Sequence, residues 1–208
     1  MYLPEHFKEI DQEEIAAVIA AAPLGCVVAN TAEGLIANHM PILVDKRGEL
    51  VGHIALANDM HRLIAEGEEV LVIFRGVDGY VSPNFYPSKA EHHKQVPTWN
   101  YQVVHVHGTI SFQHDENSKR AAVGLLTREH ERRINGEKAW RMADAPADYM
   151  TDMLGKIVAF RIAVTRTIAK SKLSQNRDIR DFEGAVDGLK SSGQEALATR
   201  MAALPGRD

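Results

Sequence analysis

Leu24-Gly25-Cys26-Val27-Val28-Ala29-Asn30, Leu35 to Val44 and Leu50 to Leu56 are three apolar runs. Between them stand Thr31-Ala32-Glu33-Gly34 and Asp45-Lys46-Arg47-Gly48, two short polar stretches that each end in glycine. Such stretches make tight turns, and tight turns join neighbouring strands antiparallel. The three runs predict a meander. The flanks agree with it. Upstream, Asp11 and Glu14 form a capping-box-like pair, Ile15, Ala16, Val18, Ile19 and Ala22 recur at helical spacing, and Pro23 ends the helix. Downstream, a short helix is expected over residues 59 to 65, ending at Gly67. Val70-Leu71-Val72-Ile73-Phe74 then forms a buried strand.

Residues 80 to 87 are expected to be irregular, because Pro83 and Pro87 forbid a central strand. Residues 88 to 96 are expected to be loop. Thr98 to Phe112 alternates as one long strand. Val104, Val106, Ile110 and Phe112 share one face, and Trp99, Tyr101, Val103, His105 and His107 share the other. A surface helix over Glu116 to Arg133 turns Ala121, Ala122, Leu125 and Leu126 inward. A second helix opens at Ala145-Pro146 and closes at Gly155, and Ile157 to Ile168 is a strand. From Asp178 the chain is helical and polar, and the tail Pro205-Gly206-Arg207-Asp208 is expected to fray. The fold class is therefore α+β: a mostly antiparallel closed or split barrel of about six strands with flanking helices. It is read as one domain over residues 1–208 with a helical extension from about residue 178.

The composition narrows the function. The chain has 208 residues, a net charge of −4 and 45% apolar residues, so it can bury a full core and is not globally disordered. No apolar run reaches the roughly 20 residues of a membrane helix, and no membrane association is expected. The start shows no secretory signal, and the single cysteine, Cys26, makes no internal disulfide; a cytoplasmic location is expected. The sequence lacks G-x-G-x-x-G, a Walker A loop and G-x-S-x-G. His92, His93, His105 and His107 do not complete a metal-ligand pattern, so no metal is expected. No helix-turn-helix stands out. The basic patch Arg128, Arg132, Arg133, Lys138 and Arg141 is interleaved with Glu129, Glu131 and Glu137, which suits a solvated face.

Two stretches carry chemistry. Lys170 to Arg180 has four cations against one anion, a local charge of +3 in an acidic chain, and adds Ser171, Ser174, Gln175 and Asn176. It suits a phosphate group, or else a solvated loop with Asp178 as a helix cap. Tyr80 to Lys89 and Val96 to Tyr101 hold five aromatics of a chain that is only 6% aromatic. With Ser82, Lys89, Thr98, Trp99 and Asn100 they suit a planar heteroaromatic ligand, or else a packed structural corner.

Met1-Tyr2-Leu3-Pro4-Glu5-His6-Phe7, Tyr80-Val81-Ser82-Pro83, Val96-Pro97-Thr98-Trp99-Asn100-Tyr101 and Lys172-Leu173-Ser174-Gln175-Asn176-Arg177 resemble the PaiB-like family of FMN-binding negative transcriptional regulators. The likeness spans nearly the whole chain. The family is similar to the FMN-binding split barrels that include pyridoxine-phosphate oxidase. The resemblance implies a homodimer with FMN at its interface. It places the flavin ring along Asn38, His39 and Met40, and the phosphate near His53, Ala55 and Asn58. Leu56 stands where the family often has a basic residue, and Asp59 where it has proline; Lys172, Ser174, Gln175 and Asn176 are the compensating phosphate ligands. The implied function is a flavin-binding regulator with no direct DNA contact expected. The alternative is an FMN-dependent oxidoreductase or flavin reductase acting on a small planar substrate, with His39 or His53 as acid or base.

Overall fold

The computed structural model describes residues 1–204, so the tail from Pro205 lies outside the described residues. Seven strands are found there: β1 (Lys8–Glu9), β2 (Leu24–Thr31), β3 (Gly34–Val44), β4 (Leu50–Ala55), β5 (Glu69–Val81), β6 (Thr98–Gln113) and β7 (Ile157–Lys172). The sheet order is β1-β7-β4-β3-β2-β5-β6, and β6 pairs back to β7, so six strands close a ring and β1 adds to β7. The pairings of β2 with β3 and β5, and of β4 with β3 and β7, are antiparallel. The helices are α1 (Gln12–Ala21), α2 (Met60–Leu63), α3 (Lys89–His92), α4 (Glu116–Asn135), α5 (Ala147–Gly155), α6 (Ile179–Ser191) and α7 (Glu195–Ala202). The α+β split-barrel expectation holds, with one strand more than the six foreseen.

Four expectations about these elements need correction, and a fifth concerns α6. β5 runs on to Val81, because the first proline comes two residues later. Residues 89 to 92 form a helical turn rather than loop. β7 continues through Lys170, Ser171 and Lys172, beyond the Ile168 at which the strand was expected to end. On α4, Ala122 and Leu126 are buried but Ala121 is exposed.

The chain divides into two compact units. One comprises residues 22–74 and 105–167, the other residues 1–21, 75–104 and 168 onward. In the first, β2 pairs β3 from Leu24↔Pro41 to Thr31↔Gly34, and β5 covers the other edge of β2 from Cys26↔Ile73 to Ala29↔Val70. Inward-facing Val27, Ala29, Val70, Val72 and Phe74 are buried. α4 packs Ala122 onto Val51 and Ala159.

The second unit is built on α6 and α7. Phe182, Ala185, Val186 and Leu189 of α6 and Leu197, Ala198 and Met201 of α7 bury against Val81, Tyr86 and Leu173. α6 is amphipathic, which the expectation of a polar extension missed. Its Gly184 and Gly188 admit the Phe85 segment: a Cβ at Gly188 would lie 2.2 Å from Phe85 Cγ, and one at Gly184 would lie 2.4 Å from the Phe85 carbonyl. Asp178 caps α6 by accepting from Asp181 N at 2.9 Å.

Candidate functional site

The expected site residues fall into the two units. Asn38, His39, Met40, His53, Ala55 and Asn58 belong to the first. Ser82, Lys89, Thr98, Trp99, Asn100, Lys172, Ser174, Gln175 and Asn176 belong to the second.

In the first unit the decisive feature is a ladder that stops. β4 pairs β3 only at Ile42↔Gly52, Leu43↔Val51 and Val44↔Leu50, yet β4 stays paired with β7 to Ala55↔Ile157. Gly34 to Pro41 is therefore paired by β2 on one edge, and among the described residues no strand covers the other edge. The two strands part at Gly52. A Cβ there would lie 2.4 Å from Phe160 Cζ and 3.0 Å from the Pro41 carbonyl, so only glycine allows that approach. Beyond the parting, Asn58 Nδ2 donates to Asn38 Oδ1 at 3.1 Å, and Asn58 Oδ1 accepts from Met60 N at 3.0 Å. An uncovered strand edge offers alternating backbone donors and acceptors, and the two amides add more. The set matches the polar edge of a flat heterocycle.

His53 lies at the same parting, half-buried, and its Nδ1 is buried without a hydrogen-bond partner. Burial pushes its pKa below the usual imidazole value, so it is neutral at pH 7. Met40 is buried beneath the strand, while His39 and Ala55 are exposed; His39 stands directly opposite Cys26 in the β2–β3 register. Two residues were missed by sequence reasoning. His61 Nε2 lies 3.1 Å from the Leu56 carbonyl, and Arg62 Nη2 approaches the same carbonyl at 3.4 Å while Nη1 donates to Asp59 Oδ1 at 2.8 Å. Leu56 carries no charge, but α2 brings a guanidinium to the strand end from six residues on. That strand-to-helix offset was the available signal.

In the second unit the motif residues hold one another. Lys172 Nζ donates to the Trp99 carbonyl at 2.8 Å and to Thr98 Oγ1 at 2.5 Å. Burial, then the charges of Lys170 and Arg177, depress its pKa. Asn100 is fully buried on β6 and donates to Ser174 Oγ at 2.8 Å; its Oδ1 has no partner. Ser174 adopts φ +63°, a left-handed conformation unusual for a residue with a Cβ. Its hydroxyl accepts from Asn100 Nδ2, which glycine could not. Gln175 accepts from Leu173 N at 2.7 Å and donates to the Ser171 carbonyl at 2.5 Å. Lys170 is buried, with Tyr2, Phe7 and Tyr101 rings at 5.4, 5.9 and 5.2 Å. Ser82 caps the turn at Asn84 N at 3.2 Å, Lys89 reaches Asn84 Oδ1, and Trp99 Nε1 donates to Asp78 at 3.1 Å. Asn176 is exposed. The polar groups of this loop are engaged largely by the chain itself.

The family described as "Putative FMN-binding domain" matches residues 1–166. The protease synthase and sporulation protein PAI 2 of Bacillus subtilis is 32% identical over 208 residues, covering 98% of this chain and 96% of that protein. Two solved structures share the fold. The FAD and heme binding protein of Mycobacterium smegmatis has a TM-score of 0.57 at 18% identity, covering 79% of this chain and 73% of that one. The flavocytochrome of Azotobacter vinelandii has a TM-score of 0.55 at 15% identity, covering 82% and 72%. Neighbours of this kind are flavin proteins on the same closed sheet, and the PaiB-like resemblance read from the motifs holds over nearly the full length. The chain belongs to the FMN-binding domain family.

Proposed function

We propose that the protein is a flavin-dependent regulator of the PaiB type, with FMN lying along the uncovered edge of β3. The observation that carries this is the one-sided ladder from Gly34 to Pro41 beside the unpartnered His53 Nδ1. In this reading the β3 backbone and the Asn38–Asn58 amide pair hold the polar rim of the ring. His53, uncharged, supplies a further hydrogen bond, and Arg62 with His61 faces the phosphate. The bound flavin would supply one- and two-electron redox chemistry. The chain's part is to position the ring and set its electrostatics. Regulation is taken from the PaiB-like resemblance of the motifs. The mixed charges of α4 give no continuous phosphate track, so any effect on transcription is indirect or needs a surface completed by a second copy.

A second copy has a face to meet. On the outer side of the meander, Leu24, Cys26 and Val28 of β2 lie directly across from Pro41, His39 and Ala37 of β3, and Leu71 and Ile73 of β5 extend the stripe. Leu35 is 78% and Leu24 61% exposed. Contiguous apolar surface of this kind supports an interface, and we take a homodimer as the working assembly. A cytoplasmic location is part of the same reading; among the described residues, no helix is long and apolar enough to cross a membrane.

The test is an FMN titration followed by absorbance and flavin-fluorescence quenching. Saturable uptake at one FMN per chain is expected. Arg62→Glu should weaken it at least tenfold and Lys172→Glu should not; the reverse pattern would move the phosphate to the Lys170–Arg177 loop. One observation favours an FMN-dependent oxidoreductase as a second reading: a half-buried histidine with an unpartnered ring nitrogen on β4, where it parts from the strand proposed for the ring. Turnover of reduced nicotinamide by the FMN-loaded protein, lost in His53→Ala with flavin retained, would select it.

A further inference from the structure

The exposed side of α4 carries a feature that the flavin reading does not use. Gly136, at φ +54°, ends the helix and turns the chain back over it. The returning segment is tied down by Glu131, whose carboxylate accepts from Trp140 N at 3.0 Å and Asn135 Nδ2 at 2.7 Å. Helix and segment enclose a groove of about 580 Å3, lined among others by Arg120, Arg128, Arg132, Arg141 and Trp140. This is the size of a small-ligand site.

The lining contains four arginines and no carboxylate, in a chain whose net charge is −4. Two glutamates of the basic patch are engaged at least in part outside the lining. Glu131 holds the segment, and Glu129 pairs Arg133 at 2.9 Å and reaches Arg132 only at 3.6 Å. Arg120 has Glu116 at 2.6 Å. Arg128 and Arg141 make no ion pair with any described residue. Trp140, the one large ring in the groove, is 41% exposed.

Gly124 adds a second sign. It lies in the middle of a 20-residue helix, where glycine is unfavourable relative to alanine. Its φ is ordinary, and a Cβ there would meet only Met142 Sδ, at 3.6 Å. Internal packing does not demand the glycine, and its lack of a side chain leaves the groove open at that point of the lining. Arg128 and Arg141, without an ion-pair partner among the described residues and sharing one lining with two further arginines, favour an anionic guest in the space.

We propose that this groove binds a small phosphorylated aromatic molecule of mononucleotide size, the ring stacked on Trp140 and the phosphate held by Arg128, Arg132 and Arg141. Guanidinium groups bind phosphate through paired hydrogen bonds, and indole is the strongest stacking surface among side chains. The site is separate from the one assigned to FMN.

The experiment is calorimetric titration of the FMN-loaded protein with adenosine 5′-monophosphate, with adenosine and inorganic phosphate as controls. The nucleotide should bind at least tenfold more tightly than either control. Arg128→Glu and Gly124→Leu should each weaken it at least tenfold while leaving the bound flavin in place. Gly124→Leu narrows the groove without removing a charge and replaces a poor helix former, and an unchanged thermal midpoint separates loss of the site from loss of the fold. No nucleotide binding, or equal binding in both variants, overturns the proposal. So does loss of flavin in both variants, which would assign the groove to FMN itself. Retention of a duplex DNA fragment that Arg128→Glu abolishes, without nucleotide binding, overturns it in favour of a nucleic-acid surface. If the chain takes up no FMN, the same titration on the flavin-free protein still decides the groove.

Discussion

Asp181 shows how the second unit is held. It is 1% exposed, and its carboxylate accepts from Ser88 N at 3.0 Å, Ser88 Oγ at 2.7 Å and Gln95 Nε2 at 2.9 Å. Burial opposes its charge, but the hydrogen bonds from Ser88 outweigh that and keep the pKa below the usual aspartate value. Asp181→Ala leaves buried donors unsatisfied and should cost roughly 1–3 kcal/mol, read as a lower urea midpoint with an unchanged slope. His53 acts in the same sense on acidification, though burial rather than hydrogen bonding depresses its pKa. Its folded pKa lies below 6.5, so between the two values the unfolded chain binds more protons. Its contribution is complete above pH 6.5 and is lost as pH falls toward the folded value. The unfolding temperature should therefore drop from pH 7.5 to pH 5, and drop less in His53→Gln. Residues of this kind were only half legible. The sequence picked out Asn100, Ser174 and Gln175 as polar and clustered, but a buried acceptor and a ligand donor are the same residue type. Only the register on β6, which turns Asn100 and Gln102 inward with the valines, separates the two.

The elements were legible where turns and alternation agreed. β2, β3 and β4 lie within a residue or so of the boundaries that Thr31–Gly34 and Asp45–Gly48 imply. They failed where a strand carries charge into a buried setting: Lys170 and Lys172 read as loop because their partners, three aromatic rings and the Trp99 carbonyl, are remote in sequence. The parting of β3 from β4 was equally hidden, since Gly52 looks like any strand glycine until Phe160 is beside it. Gly52→Ala drives a methyl into a fully buried ring. It should cost about 1–3 kcal/mol of stability, seen as a fall in thermal midpoint, and should also weaken FMN by shifting the start of the open edge.

At the scale of the molecule, the fold class came from the meander, and the cofactor from motif likeness rather than from physics. The assembly came from the same likeness. It can be tested on the apolar stripe: sedimentation equilibrium at micromolar concentration should give a dimer for the natural chain and a monomer for Leu35→Glu combined with Ile73→Glu. A monomeric natural chain would remove the interface. The arginine groove on α4 was visible in the sequence only as a basic run diluted by glutamates. Two of its four arginines have a glutamate partner and two have none among the described residues, a division that the sequence does not show.

A strand with a bare flank, such as β3, is a template for any passing chain of the right spacing, and natural sheets usually shield such flanks. Here the guest itself would serve as the missing shield. Preparations stripped of flavin should then cloud on storage and clear less readily than loaded ones, so that supplying the cofactor guards solubility as well as chemistry.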